Sequence, residues 1–216
     1  MSGDVRAPDG RRRGPDTSEP IPLGEYVPTA DQRILLRGLS WAGFQALIAL
    51  RAERSVPRMA YLDGVVELMG PSRNHEALKS SIAHLVAAFC SERGIAWSPY
   101  RSWHLDDESE EAGVEPDECF IFGHDQRADR PALAIEVVWT SGGLNKLEVY
   151  RRLAVGEVWF WKRDAISVHV LGPNGYETCD RSACLPDIDL ALLARLARHE
   201  VVSDAVEELR RILRGA

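Results

Sequence analysis

The sequence lacks the features that mark membrane-spanning and exported proteins. No apolar run reaches the roughly 20 residues of a spanning helix, and the first thirty residues hold no apolar block typical of a signal peptide. The four cysteines form no C-x-x-C pair, which is typical of free thiols in a reducing compartment. We therefore expect a cytoplasmic protein without membrane contact.

The chain also lacks an excess of basic residues, and its formal net charge is −7 at pH 7. Proteins that bind nucleic acid usually carry a basic surface. A negative net charge of the whole chain argues against tight binding of DNA through long-range electrostatic attraction. It leaves room for a local basic rim, and for acidic groups whose charge a bound metal offsets.

Residues 1–28 have few apolar side chains and are rich in Pro, Gly, Asp and Arg. Such a segment buries too little apolar surface to order itself, so we expect a disordered tail. The 45% hydrophobic and 27% charged content of the chain is ordinary for a soluble globular protein. We expect residues 29–216 to form a single domain.

The pattern of apolar residues predicts an α/β fold with a mixed β-sheet flanked by helices. Order is expected to begin near Ser40, which caps a helix, and Asp63-Gly64 predicts the turn of a hairpin between Arg58 and Met69. The further predicted elements are a helix over 75–93, strands over 95–104, 114–122 and 133–139, a solvated acidic loop over 105–113, a helix over 144–155, a hairpin over 157–171, and short helices from 190 and 203.

The most informative feature is a carboxylate within an apolar strand. Glu136 stands in the run Ala134-Ile135-Glu136-Val137-Val138-Trp139. Burying a carboxylate without a partner costs several kcal/mol or makes it take up a proton. A second carboxylate, a lysine and a divalent cation would together supply partners, and Asp117 and Lys146 are the candidates.

This set of residues indicates metal-dependent phosphodiester chemistry. Alternation along the strand places Glu136 on the same face as Ala134 and Val138. If Asp117 faces that side, the two carboxylates form a site for Mg²⁺ or Mn²⁺, which prefer oxygen ligands. A nearby lysine would orient the water or neutralise charge that develops in the transition state.

Each candidate also has an ordinary structural interpretation when it is taken alone. Asp117 after Pro116 is typical of a turn or a strand edge, and Lys146 of a solvated helix position. His75, predicted to point inward at a helix start, fits a satisfied core or capping histidine, while Glu67 fits an exposed strand residue. Three tryptophans are interpreted as core or interface residues: Trp139, Trp159 and Trp161.

Several segments between about residues 35 and 210 resemble, in order, the Uma2 (Uma-two) family of restriction-endonuclease-like proteins, a branch of the PD-(D/E)XK nuclease superfamily. The segments that carry the resemblance are Tyr61–Ser72, His75-Glu76, Pro116-Asp117, Ala134–Gly143, Lys146–Tyr150, Val158–Trp161 and Leu185–Leu190. Each motif is weak alone, and the ordered set is specific.

The resemblance implies that Asp117 and Glu136 bind the metal. The superfamily pattern has a lysine two residues after the second acid, and here that position is Val138. Lys146 would supply the ammonium from the next helix. Two further residues would be outer members of the site: Glu67 and His75.

The implied function is a divalent-metal-dependent endonuclease that acts on DNA, with Mg²⁺ or Mn²⁺ as cofactor. A homodimer is expected because duplex cleavage needs two cuts and because Trp159 and Trp161 would leave apolar surface to cover. Two alternatives remain open. One is a catalytically degenerate module that binds nucleic acid or protein, and the other is a metal-dependent hydrolase that acts on RNA.

Overall fold

The computed structural model describes residues 30–100, 103–138 and 143–215. The predicted disordered tail over 1–28 lies outside these ranges, and so does Trp139. The helices of the described ranges are α1 (Trp41–Arg51), α2 (Arg73–Glu92), α3 (Lys146–Arg152), α4 (Leu190–Leu196) and α5 (Val202–Gly215). None of them is both long enough and apolar enough to cross a membrane.

The strands of the described ranges are β1 (Gln32–Arg37), β2 (Arg58–Leu62), β3 (Val65–Gly70), β4 (Trp97–Pro99), β5 (Leu105–Asp107), β6 (Ala112–Val114), β7 (Glu118–Phe122), β8 (Leu133–Val137), β9 (Glu157–Lys162), β10 (Ala165–Gly172) and β11 (Gly175–Cys179). They form a mixed α/β architecture with two sheets. This confirms the predicted fold class, and it adds a second sheet to the one expected.

The first sheet has the strand order β1-β3-β2-β6-β5, and its described pairs are antiparallel. Its centre is the predicted hairpin around Asp63-Gly64, where both turn residues have positive φ. Glu67 lies opposite Leu35 of β1 and Ala60 of β2. Glu67 is nevertheless only 2% exposed, so the interpretation as an exposed strand residue is wrong.

The second sheet has the order β11-β10-β9-β8-β7-β4 and is mixed, because β8 and β9 run parallel. One face of β8, with Leu133 and Ile135, packs in the core formed with α2, α4 and α5. The other face, with Ala134, packs against α3 and the first sheet. Glu136 therefore points toward α3 and the first sheet, as the predicted alternation requires.

The chain crosses from the first sheet to the second at Glu115-Pro116-Asp117. A continuous strand over 114–122 was expected, but β6 ends at Val114 and β7 begins at Glu118. Pro116 has no N–H for a strand ladder, which explains the break. The crossing leaves the Asp117 side chain in the buried space where the sheets meet.

Helix α2 places His75 at this space. Ser72 caps the helix, because its hydroxyl accepts a hydrogen bond from the His75 backbone N–H at 3.2 Å. The apolar face that follows, which includes Leu78 and Ile82, is buried. His75 lies on the same face and is also buried, as the helical spacing predicts.

Several other expectations need correction. The acidic segment 105–113 was expected to be a loop, but it contains β5 and β6, and β1 precedes the expected start of order near Ser40. Trp159 and Trp161 lie in the core with exposures of 0% and 4%, so they leave no apolar surface for a partner.

Candidate active site

Asp117 is fully buried, and each of its carboxylate oxygens accepts a hydrogen bond. Arg58 Nη1 donates to Asp117 Oδ1, and the backbone N–H of Val137 in β8 donates to Oδ2 at 2.7 Å. The Nε2 atom of His75 lies 3.1 Å from Oδ1, at ion-pair distance but without hydrogen-bond alignment. Burial alone would raise the pKa of Asp117, but His75, Lys146 and Arg58 hold that pKa well below its usual range.

His75 joins Asp117 to a second acid, Asp31. The Nδ1 atom of His75 lies 3.0 Å from Asp31 Oδ2, and the Ser72 N–H donates to Asp31 Oδ1 at 2.9 Å. Burial alone would lower the pKa of His75, but the two carboxylates raise it to about 9. His75 is therefore an imidazolium at neutral pH, and its positive charge lies between two buried carboxylates.

Glu136 is held by two residues of α3. Lys146 Nζ donates to Glu136 Oε2 at 2.5 Å, and the Tyr150 hydroxyl donates to Oε1 at 2.5 Å. Burial raises the pKa of Glu136, the charge of Lys146 opposes this, and the charge of Asp117 adds to it. Lys146 reaches Glu136 because it begins α3, which Asn145 caps by accepting a hydrogen bond from the Glu148 N–H at 3.3 Å.

Glu67 forms the edge of the site next to the start of α3. Its Oε2 accepts a hydrogen bond from the Leu144 N–H at 2.9 Å, and Arg33 Nη1 lies 3.8 Å away. Gly143 has φ +124°, and a Cβ there would lie 2.1 Å from Glu67 Oε2. A β-carbon at residue 143 would therefore require the side chains of Glu67 and Arg33 to shift, at a φ that favours glycine.

The structure thus brings the five predicted site residues into one charged cluster. Burial lowers the pKa of Lys146, but the charges of Glu136, Asp117 and Glu67 together raise it. The acids of the cluster are Asp31, Glu67, Asp117 and Glu136, and its cations are Arg33, Arg58, His75 and Lys146. With His75 protonated, the charges of these named residues balance.

A family model described as "Uma2: Putative restriction endonuclease" matches residues 41–196. The chain belongs to the Uma2 family. The matched segment contains the five predicted site residues, while Asp31 and Arg33 of the Uma2 chain precede it.

One solved structure is similar to this Uma2 chain over most of its length. The solved structure, described as "a putative nuclease belonging to DUF820 from Anabaena variabilis ATCC 29413", is similar at 14% identity and a TM-score of 0.44. The similarity covers 74% of this chain and 96% of that chain. The curated proteins gave no match.

Sequence reasoning missed part of the cluster in this Uma2 protein. Tyr150 carries a usable signal, because it stands four residues after Lys146 and one helical face presents both. Arg58 and Asp31 carry none, since each stands in an ordinary polar context at the edge of an element. Their roles depend on contacts between distant parts of the chain.

The carboxylate oxygens of the site are the type of ligand that a hard divalent cation prefers. Asp117 and Glu136 offer buried carboxylate oxygens, and Mg²⁺ usually takes one or two protein carboxylates with water and phosphate. The described ranges hold no group of three or more His, Cys, Asp or Glu arranged for a metal. Because both carboxylates already accept protein donors, a cation must compete with the contacts of Lys146 and Arg58.

Proposed function

We propose that this protein is a divalent-metal-dependent endonuclease that hydrolyses phosphodiester bonds of DNA. The observation that carries the proposal is the approach of Lys146 Nζ to 2.5 Å from Glu136 Oε2, on the side of the sheet where Asp117 is buried. Membership of the Uma2 family, whose description is "Putative restriction endonuclease", supports nuclease chemistry. The choice of DNA is part of the proposal.

Asp117 and Glu136 would hold the metal. A bound Mg²⁺ or Mn²⁺ supplies a Lewis acid that polarises a phosphoryl oxygen. Asp117 is suited to binding because its lowered pKa keeps it anionic at neutral pH. Lys146 keeps its proton, since its raised pKa favours the ammonium form, and it stabilises negative charge on the attacking or leaving oxygen. His75 and Glu67 form the outer part of the site.

The first test is calorimetric titration of Mn²⁺ and Mg²⁺ into wild type, Glu136→Gln and Glu177→Gln, with nicking of supercoiled plasmid on the same samples. Glu177 is an exposed strand residue of β11, so its variant controls for loss of one carboxylate. We expect binding and nicking to vanish in Glu136→Gln and to persist in Glu177→Gln. Absence of metal binding in wild type would overturn the proposal.

The substrate and the assembly need their own measurements. Parallel assays with duplex DNA, single-stranded DNA and RNA separate a DNA endonuclease from a hydrolase of RNA. We also propose a cytoplasmic homodimer, because cleavage of a duplex requires two cuts. Light scattering coupled to size-exclusion chromatography tests the dimer, and a monomeric mass in the presence of duplex would contradict it.

A second candidate is a binding module on a nuclease fold without catalysis. The balanced charges of the cluster favour it, because Asp117 and Glu136 are satisfied by protein donors without a metal. This candidate predicts that wild type binds no metal and that the double variant Lys146→Met with Glu136→Gln is neutral or stabilising, since replacing a whole buried ion pair is often so. Urea unfolding of that variant in EDTA, together with the metal titration, decides between the two.

A further inference from the structure

Strand β1 forms one edge of the first sheet and carries exposed apolar side chains. It pairs with β3 on one side, and the strand order of the sheet ends there. Ile34 and Leu35 are adjacent in β1 and are 58% and 38% exposed. An edge strand of this kind can add a further strand through the backbone groups on its open side.

The other three edges of the two described sheets carry features that proteins use to prevent such pairing. Strand β5 has three residues, and Asp106 and Asp107 are both exposed. Strand β4 also has three residues and ends in Pro99, which has no backbone N–H. Strand β11 exposes Glu177 and Thr178. Strand β1, with six residues, is the one of these edges that exposes large aliphatic side chains.

The charges along β1 favour one register for its pairing with β1 of a second copy. Antiparallel pairing of identical strands has a two-fold axis perpendicular to the sheet, and residues that lie opposite each other share a face. Because neighbouring residues of a strand point to opposite faces, the axis must pass beside a single residue. Ile34 and Leu35 are at the middle of β1, so an axis at either pairs nearly the whole strand.

The two axes differ in which cations they bring together. With the axis at Ile34, Arg33 lies opposite Leu35. Arg37 then lies opposite Asp31, so no two cations face each other. With the axis at Leu35, Arg33 would lie opposite Arg37, and like charges directly opposite each other are destabilising. The axis at Ile34 is therefore the favoured one.

An axis at Ile34 also extends an apolar layer that the chain already has. Ile34 lies opposite Leu68 of β3, so both side chains are on the same face of the first sheet. Leu68 packs against the apolar cluster that α1 and the hairpin form around Tyr61, whereas Ile34 is exposed. Two copies of Ile34 would cover each other across the axis, and removal of this apolar surface from water favours association.

The same axis relates the candidate active sites of the two copies. Glu67, at the edge of the site, lies opposite Leu35 and therefore shares its face of the sheet. An axis perpendicular to the sheet keeps this face on the same side of the dimer in both copies. The order β3-β1-β1-β3 then separates the two copies of Glu67 by three strand spacings across the sheet, about 14 Å. Both sites would face one duplex at the same time.

We propose that a second copy of this chain pairs with the edge of β1, with the two-fold axis at Ile34. This inference rests on the proposed function, because it names the partner that brings two nuclease sites to one duplex. The dimer needs neither DNA nor metal, since its contacts are backbone hydrogen bonds and apolar side chains.

The first test is light scattering coupled to size-exclusion chromatography on the full chain, in EDTA and without DNA. Ile34→Lys places two ammonium groups at the axis. Leu50→Lys is the control, because Leu50 is 76% exposed on α1 and lies outside β1. We expect a dimeric mass for wild type and Leu50→Lys and a monomeric mass for Ile34→Lys. A dimeric Ile34→Lys would overturn the interface, and a monomeric wild type would overturn the dimer as well.

Disulfide cross-linking tests the register in a protein that still associates. Residues directly opposite in an antiparallel pair have Cα atoms roughly 4.5–5.5 Å apart, so Ile34→Cys should cross-link to its copy on mild oxidation. Leu35→Cys is the control, because the axis at Ile34 offsets its two copies by two residues and separates their Cα atoms by about 8 Å. Wild type, with its four cysteines, gives the background. Cross-linking of Ile34→Cys no greater than this background would overturn the proposed axis.

Plasmid cleavage and metal titration separate this proposal from the nuclease function. We expect wild type to convert supercoiled plasmid directly to the linear form, and Ile34→Lys to accumulate the nicked circle. The Mn²⁺ affinity should be the same in both, because Ile34 and Glu67 lie on opposite faces of the first sheet. A dimer through β1 that binds no metal would overturn the nuclease and leave the interface intact. Linearisation by Ile34→Lys as direct as by wild type would overturn the arrangement of the two sites.

Discussion

The ammonium of Lys146 and the carboxylate of Glu136 meet at 2.5 Å although the two residues lie on different elements, ten positions apart. Val138, which directly follows β8, occupies the position where the superfamily pattern that the sequence resembles has its lysine. A lysine at the first position of α3 delivers the same group to the same carboxylate. Under the proposed function, only the position of the ammonium matters to the chemistry, so the backbone position that carries it is free to change.

Lys146→Met tests how much this pair contributes to folding. The variant keeps most of the side-chain volume but leaves the charge of Glu136 buried without its cation. We expect a loss of about 3 kcal/mol in the free energy of unfolding, measured by urea denaturation. The exposed Lys162→Met is the control, and it should stay close to wild type.

The double variant Lys146→Met with Glu136→Gln should recover much of that loss, because no buried charge remains unpaired. A double variant as unstable as Lys146→Met alone would mean that the cost comes from packing of the lysine stem. The cycle of four proteins thus separates the ion pair from the packing.

Gly143→Ala tests the close approach of the backbone to Glu67. The added Cβ would lie 2.1 Å from Glu67 Oε2 at a backbone φ of +124°. Gly94→Ala is the control, because Gly94 also has positive φ, +67°, but nothing within 4 Å of its Cβ position. We expect Gly143→Ala to cost about 1–3 kcal/mol more than the control in thermal or urea unfolding.

Glu67→Ala removes the atom that the new Cβ would meet. In that background, Gly143→Ala should cost less than in wild type, and the remaining cost reports backbone strain together with the approach to Arg33 Nη1 at 2.9 Å. An unchanged cost would show that the carboxylate moves aside freely and does not fix the segment that leads into α3.

The pKa of His75 makes stability depend on pH in the metal-free protein. Folding raises this pKa from 6.5 to about 9, so the folded state binds the proton more tightly than the unfolded state. The resulting stability is complete below pH 6.5 and is lost as pH rises toward 9, by about 3 kcal/mol in all. The groups that face the imidazole are Asp31 and Asp117, which favour its charge, and Arg58, which shares Asp117.

Urea unfolding in EDTA between pH 6 and pH 9 measures this effect. His75→Gln should lose the decline over that interval, whatever its absolute stability. His84→Gln, on the exposed face of α2, should keep the decline seen in wild type. Parallel declines in all three proteins would mean that another group is responsible.

The sequence predicted the middle of the site because local rules determine it. Alternation along β8 predicted the face on which Glu136 lies, and the spacing of apolar residues in α2 predicted that His75 points inward. Both residues then lie on the buried faces that their periodicity requires. Patterns of this kind need no knowledge of the rest of the chain.

The remaining parts depend on contacts between distant segments. Strand β1 holds three consecutive apolar residues, Ile34-Leu35-Leu36, and therefore showed no alternation in the sequence. Ile34 and Leu35 are 58% and 38% exposed. Asp31, just before β1, meets His75 across 44 positions, and Arg58 meets Asp117 across 59. Such pairs form only when both sheets are assembled, and no local sequence pattern predicts them.

Tyr150→Phe tests the second support of Glu136. The hydroxyl donates to Glu136 Oε1 at 2.5 Å in a buried setting, so its removal leaves one oxygen of a buried carboxylate without a donor. We expect a loss of about 2 kcal/mol in the free energy of unfolding, since hydrogen bonds to charged groups are the stronger ones. Tyr176→Phe removes a hydroxyl that donates to the neutral carbonyl of Val155, and it should cost about 1 kcal/mol.

The two tyrosine variants also discriminate between the functional candidates. If Glu136 binds a metal, Tyr150→Phe should change the Mn²⁺ affinity while Tyr176→Phe leaves it at the wild-type value, because of the two tyrosines it is Tyr150 that donates to that carboxylate. In the background Glu136→Gln, the stability cost of Tyr150→Phe should shrink toward that of Tyr176→Phe. An undiminished cost would mean that Tyr150 contributes through packing against α3 and the first sheet, and that its hydroxyl does not support the carboxylate.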